Sequence, residues 1–216
     1  MPDRDYVTLM QEGRSLVEDR KSRFIGRAAH VSGEKDAYSR IEEFRRSEKG
    51  AAHNVYAFVI GRNAEVSRSS DDGEPSGTSG RPCLEALTRQ GLTDSMVVVT
   101  RYFGGILLGK GGLVRAYGLA AREAVEAAGA ASLVSYLRTE IALEYSDWDK
   151  VSSFLRSEGA KEIAPEYAEK IKLSYAIRKD LESELNIGLT DLLKGKLQIL
   201  AKHEEERLER IGVSTK

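Results

Sequence analysis

The period of apolar and polar positions changes several times along the chain, and each change marks a predicted element. Residues 11–31, QEGRSLVEDRKSRFIGRAAHV, hold two short half-apolar runs on either side of the polar stretch Glu18-Asp19-Arg20-Lys21-Ser22, which predicts a strand pair. In EKDAYSRIEEFRRSEKG the residues Ala37, Tyr38, Ile41 and Phe44 recur at three- and four-residue intervals before Gly50, the pattern of an amphipathic helix with a glycine stop. HNVYAFVIG reads as a buried strand, EVSRSS as its shorter partner, and Gly61-Arg62-Asn63 as the turn between them. Ser70 to Pro82, SDDGEPSGTSGRP, has no apolar side chain other than proline and is predicted to be a long loop. CLEALTRQ then predicts a helix closed by Gly91, and SMVVVTRYF a strand rich in β-branched residues. A glycine-rich stretch, GGILLGKGG, leads into the helix LVRAYGLAAREAVEAAG, with Leu113, Tyr117, Ala120 and Ala121 on one side.

From about Ser132 the pattern becomes strand (RTEIALEY), helix (SDWDKVSSFLRSEG), two strands (KEIAPEYAEKIKLSYAI), helix (KDLESELNIGLTDLLKG) and strand (KLQILAKHEE). That βαββαβ order predicts a ferredoxin-like domain. The fold class expected is therefore α+β in two domains, residues 1–132 and 133–216. Trp148 and Val151 are expected in the core, and the charge run HEEERLER as a solvated end or short helix with i,i+4 pairs.

Composition narrows the function classes. With 41% hydrophobic and 31% charged residues, and no apolar run near the roughly 20 residues that span a bilayer, membrane association is not expected. The N-terminus, MPDRDYVTLMQEG, lacks a secretory h-region and the acid-poor character of a transit peptide, so a cytoplasmic location is expected. A single cysteine, Cys83, and three histidines offer no disulfide framework and no metal-ligand spacing, so neither metal nor cofactor is expected. The net charge of -1 means that affinity for a polyanion has to come from local clustering. Such clustering exists: Ser95 through Arg122 contains no acidic residue but includes Arg101, Lys110, Arg115 and Arg122.

Gly104, Gly109 and Lys110 stand where a Walker A loop has its two glycines and lysine. The next position, however, is Gly111, where the magnesium-binding hydroxyl should be, and no apolar strand ending in aspartate follows before Leu133. Nucleotide hydrolysis by that route is not expected. Gly104-Gly105 and Gly111-Gly112 either let the strand turn and the helix pack, or present backbone NH groups to an anion beside Lys110. Arg101, Tyr102 and Phe103 at the strand end, with Arg115 and Tyr117 on the next helix, form the candidate surface for phosphate pairing and base stacking. The alternative is that Arg101 or Arg115 pairs with Asp71, Asp72 or Glu74 and fastens the acidic loop. His53, Asp72 and Glu74 are suited on paper to acid/base chemistry, and Ser76, Thr78 and Ser79 to nucleophilic attack. No GxSxG elbow frames those hydroxyls, and turn or helix capping is the expected role of the acids. No catalytic residue is assigned.

SDDGEPSGTSGRP followed by VTRYFGGILLGKGGLVRAY, with KSRFIG and HNVYAFVIG before them, resembles the signature of the IMPACT/YigZ family over nearly the whole chain. The matching positions are His53, Asn54 and Tyr56; Asp71, Asp72, Gly73, Glu74, Pro75, Gly77 and Thr78; Arg101 to Gly105; and Gly111, Gly112, Arg115 and Tyr117. Members usually read GGIKLG, then a small residue and GG, so here Leu107 replaces the lysine and Lys110 the small residue. The resemblance implies an N-terminal fold shared with domain IV of elongation factor G and a ribosomal small-subunit protein, and a C-terminal domain similar to domain V of that factor. Eukaryotic members resemble regulators of translation that restrain a starvation-responsive kinase through its activator. The function expected is a non-catalytic RNA- or ribosome-associated factor in translation regulation, with a possible protein partner in that control. An enzyme acting on a nucleotide or phosphorylated small molecule and a protein-binding module are the alternatives.

Overall fold

A computed structural model describes residues 6–211 of the chain. The described residues form two compact α+β units, one of 6–133 together with 208–211, the other of 134–207. In chain order the first runs β1 (Val7–Leu9), β2 (Gly13–Asp19), β3 (Ser22–His30), α1 (Glu34–Ser47), β4 (His53–Ile60), β5 (Val66–Ser70), α2 (Gly80–Thr88), β6 (Ser95–Tyr102), α3 (Gly109–Ala128) and the start of β7 (Ala130–Leu143). An antiparallel sheet is ordered β2-β3-β6-β4-β5, and β1 pairs with the first residues of β7, Val7 opposite Ser132.

Alternation along the central strands explains why they read as continuous apolar runs: both faces of the sheet are covered. Val55, Ala57 and Val59 of β4 and Val97 and Val99 of β6 pack with Leu87 of α2 and Tyr117, Ala120 and Ala121 of α3. Their neighbours Phe58, Met96 and Val98 face the opposite way, onto Ile41 and Phe44 of α1. At Gly13 and Gly26 a Cβ would overlap backbone atoms of Ala124 and Ala120, so these glycines let α3 lie directly on β2 and β3.

The second unit continues from β7 through α4 (Trp148–Ser157), β8 (Lys161–Tyr167), β9 (Ile171–Arg178) and α5 (Glu182–Leu192) to β10 (Gln198–Arg210). Its strands are ordered β10-β7-β9-β8, the ferredoxin-like arrangement of a βαββαβ chain. Leu137, Ile141 and Leu143 of β7 and Leu173, Tyr175 and Ile177 of β9 meet Val151 and Leu155 of α4 and Leu185 and Leu189 of α5. Val151 is in the core and Trp148 packs at its edge.

The sequence reading needs correction at several boundaries. HEEERLER is neither a free end nor a helix but part of β10, where Arg207 lies 4.9 Å from the Tyr136 ring centroid and pairs with Glu162 at 2.9 Å. β1 and the first residues of β7 escape the pattern, because Val7–Leu9 is too short to show a period on its own. The helix expected from Cys83 starts at Gly80, with Pro82 tolerated in its first turn. The helix expected from Leu113 starts at Gly109, so GKGG is its first turn instead of a preceding loop. No described helix is long and apolar enough to cross a membrane.

Candidate nucleic-acid interface

The acidic loop between β5 and α2 is organised by its own carboxylates. Asp71 Oδ1 accepts hydrogen bonds from the NH groups of Ser79 and Gly80 at 3.0 and 2.8 Å and from the Ser79 hydroxyl at 2.7 Å, while Oδ2 accepts from the NH of Gly77 at 2.8 Å. These donors stand at the start of α2, so Asp71 caps that helix from outside it. Burial pushes its carboxyl up, but the bonds from Gly77, Ser79 and Gly80 outweigh burial and hold it below the ordinary carboxylate range. Asp72 Oδ2 accepts from the NH of Asn54 at 2.6 Å and Oδ1 from Arg45 at 3.1 Å, which ties the loop to β4 and α1. Thr78 donates to the carbonyl of Pro75 at 2.6 Å, closing a turn.

Glu74 turns inward. Its Oε1 accepts from Arg101 Nη1 at 2.6 Å and from the Tyr117 hydroxyl at 2.8 Å, and His53 Nε2 stands 3.8 Å away. His53 Nδ1 donates to the carbonyl of Asp72 at 2.7 Å. Arg101 is only 5% exposed, with Phe24 and Phe103 rings 5.4 and 5.3 Å from its guanidinium carbon. The Tyr117 phenol is held above its ordinary range first by burial and then by the adjacent Glu74 carboxylate, so it serves as a donor. Arg101 and Tyr117 were expected on a surface; they lie inside, because β6 and α3 bring them onto the same buried carboxylate. The geometry realises the ion pair between Arg101 and the acidic loop. Cys83 is fully buried, and burial pushes its thiol up, leaving it without reactive character.

After β6 the chain turns through Gly104, whose NH donates to Ser22 Oγ at 3.1 Å and whose missing Cβ would overlap the Lys21 backbone. Gly105 has a positive φ of 82°. Gly111 faces open space and Gly112 lies against Leu108. Phe103 is 51% exposed, and Tyr102 donates to Glu48 at 2.9 Å. Lys110 and Arg122 have no ion-pair partner among the described residues, and Arg115, with a side chain 73% exposed, has Asp19 at 3.7 Å. Arg115 and Arg122, two turns apart on α3, face Arg81 and Arg89 of α2 across a groove of about 560 Å3 floored by Pro82, Ala86, Val114 and Gly118. Glu85, the acidic residue of that groove, is shared by Arg81 at 3.2 Å and Arg89 at 2.9 Å. Sequence reasoning missed Arg81 and Arg89. Their eight-residue spacing is a same-face signal on a helix, but only the packing of α2 against α3 sets them opposite Arg115 and Arg122.

Comparison with known proteins matches residues 20–125 to the Impact N-terminal domain and residues 141–196 to a domain of unknown function, DUF1949. The chain is 36% identical to the IMPACT family member YvyE of Bacillus subtilis, over 91% of this chain and 94% of that protein. It belongs to the IMPACT family. The family member YigZ of Escherichia coli is 34% identical over 88% of this chain and 95% of its own length. Protein IMPACT-B of Xenopus tropicalis is 31% identical over 50% of this chain and 34% of that protein. A crystal structure of a hypothetical protein aligns with a TM-score of 0.58 at 32% identity, covering 91% of this chain and 97% of the other. Family membership supports, in general terms, a role connected with the regulation of translation.

Proposed function

We propose that the protein is a cytoplasmic, non-catalytic RNA- or ribosome-associated factor in the regulation of translation. The observation that carries this reading is the groove in which Arg81, Arg89, Arg115 and Arg122 surround an apolar floor and a single acid, Glu85. Exposed guanidinium groups spaced along two helices can each pair with a phosphate of one strand, while the floor accommodates sugar and base edges. Lys110, without an ion pair among the described residues and exposed at the start of α3, and Phe103, a half-exposed ring at the end of β6, add a cation and a stacking surface. Tyr102, Gly104, Gly105, Gly111 and Gly112 shape that turn, whereas Arg101 and Tyr117 support it from inside. Asp71, Asp72 and Thr78 hold the acidic loop in shape, while His53 of β4 and Glu74 join that loop to Arg101 and Tyr117.

Sedimentation of a cell lysate on a gradient tests the reading. The protein should travel with ribosomal particles, return to the top fractions after nuclease treatment, and do so without treatment when Arg115 and Arg122 are both alanine. Co-sedimentation that survives nuclease would instead identify a protein-binding module. Sedimentation as a free protein under all conditions would remove the RNA reading.

A further inference from the structure

We infer that a second cavity, at the start of α3, binds an unpaired nucleotide whose base carries an exocyclic amino group. The cavity measures about 390 Å3, within the range of sites that enclose small ligands, roughly 300–1,000 Å3. Leu107, Leu108 and Leu113 supply apolar walls, Phe103 an exposed ring, and His53 and Glu74 the polar end. The Arg101 guanidinium lies against Phe103, which leaves the ring a cation on one side and a surface for stacking.

The polar end has a definite hydrogen-bonding sense. His53 commits Nδ1 to the carbonyl of Asp72, so the neutral ring presents Nε2 as an acceptor. Glu74 Oε1 is engaged by Arg101 and Tyr117, while Oε2 accepts no hydrogen bond from the described residues. Two acceptors held 3.8 Å apart at their nearer atoms call for a donor-bearing group, such as the amino groups of adenine, cytosine or guanine. An exocyclic amino group offers two N–H donors, whereas uracil offers the single N3–H between two carbonyls and would set one of those oxygens against an acceptor of the site.

The opposite end suits a phosphate. The first turn of α3 has no side-chain cap and no acidic residue, and it carries Lys110, which has no ion-pair partner among the described residues. This site deepens the reading of the protein as an RNA-contacting factor and rests on it only for the source of the nucleotide, which is either free or part of a single strand.

Labelled full-length protein titrated with AMP, CMP, GMP and UMP, and with single-stranded octamers of uridine with or without one central guanosine, tests the inference by NMR. Amide signals of residues 109–112 and the His53 ring should shift with the amino-bearing nucleotides and much less with UMP. Phe103→Ala should weaken that binding roughly tenfold, in line with the loss of one stacked base. Response to the mononucleotides identifies a free nucleotide, and response to the guanosine octamer alone identifies a nucleotide within RNA; both support the site. Absence of shifts at these positions, UMP binding as strongly as GMP, or unchanged affinity in Phe103→Ala would overturn it. Octamer shifts confined to α2 and the Arg115–Arg122 face would overturn the site and leave the functional reading standing. Mononucleotide shifts without any octamer binding would do the reverse.

Discussion

Glu74 and Asp71 are three residues apart in one loop and behave as different kinds of acid. Glu74 compensates a guanidinium that is almost wholly buried, so replacing it by glutamine leaves the Arg101 charge without its counter-ion. Removing one partner of such a pair costs about 3–5 kcal/mol. Glu74→Gln is therefore expected to lower the denaturant midpoint sharply at unchanged m-value, with Tyr117→Phe costing only about 1 kcal/mol for its hydrogen bond. Asp71 acts through its charge on the NH groups of α2. Its carboxyl is held below the ordinary aspartate range in the folded protein, so its contribution is complete above the unfolded value and is lost as pH falls through the lowered folded value. Unfolding followed by circular dichroism between pH 6 and pH 2 should show this loss, and Asp71→Asn should be less stable at pH 6 with a flatter acid limb.

At the scale of elements, the join of β6 to α3 carries the geometry of the second cavity. Gly104 is required by close approach, since a methyl group there would meet the backbone of Lys21, whereas Gly111 opens onto free space. Gly104→Ala should destabilise by about 1–3 kcal/mol through overpacking. Gly111→Ala should be neutral or stabilise by up to about 1 kcal/mol, because alanine favours the helix that already contains this position. Thermal melts of the two variants, side by side, check the contrast. The glycine-rich reading of this stretch was sound in placing a strand before it and a helix after it. It could not assign separate causes to Gly104 and Gly111, because one depends on a hairpin 82 residues earlier in the chain, at Ser22 and its neighbour Lys21.

For the molecule as a whole, the net charge of -1 leaves binding to a polyanion dependent on local clusters of cations such as the groove. Affinity for a single-stranded RNA should fall with salt at a log-log slope of about 0.7 per phosphate contacted. Arg115→Ala with Arg122→Ala should flatten that slope by roughly the share of two contacts. A fluorescence-anisotropy series between 50 mM and 300 mM salt reads it, and a slope unaltered by the double substitution would place the contacts elsewhere.

Period and composition were enough to read α+β class, the two-part organisation and the ferredoxin-like order of the C-terminal unit, because each depends on which residues along a local stretch must be hidden from water. The departure of GGILLGKGG from a Walker A loop is legible for the same reason: the hydroxyl replaced by Gly111 is a matter of one residue's identity. What faces what was not legible. Arg101 and Tyr117 look like a surface pair in sequence, yet the sheet and α3 direct both onto Glu74, and Arg81 and Arg89 become part of a basic groove only once α2 lies beside α3. Pairing of a buried charge is set by contacts between segments far apart in the chain, and those exist only after the core of Val97, Val99, Tyr117 and Ala120 has closed around them.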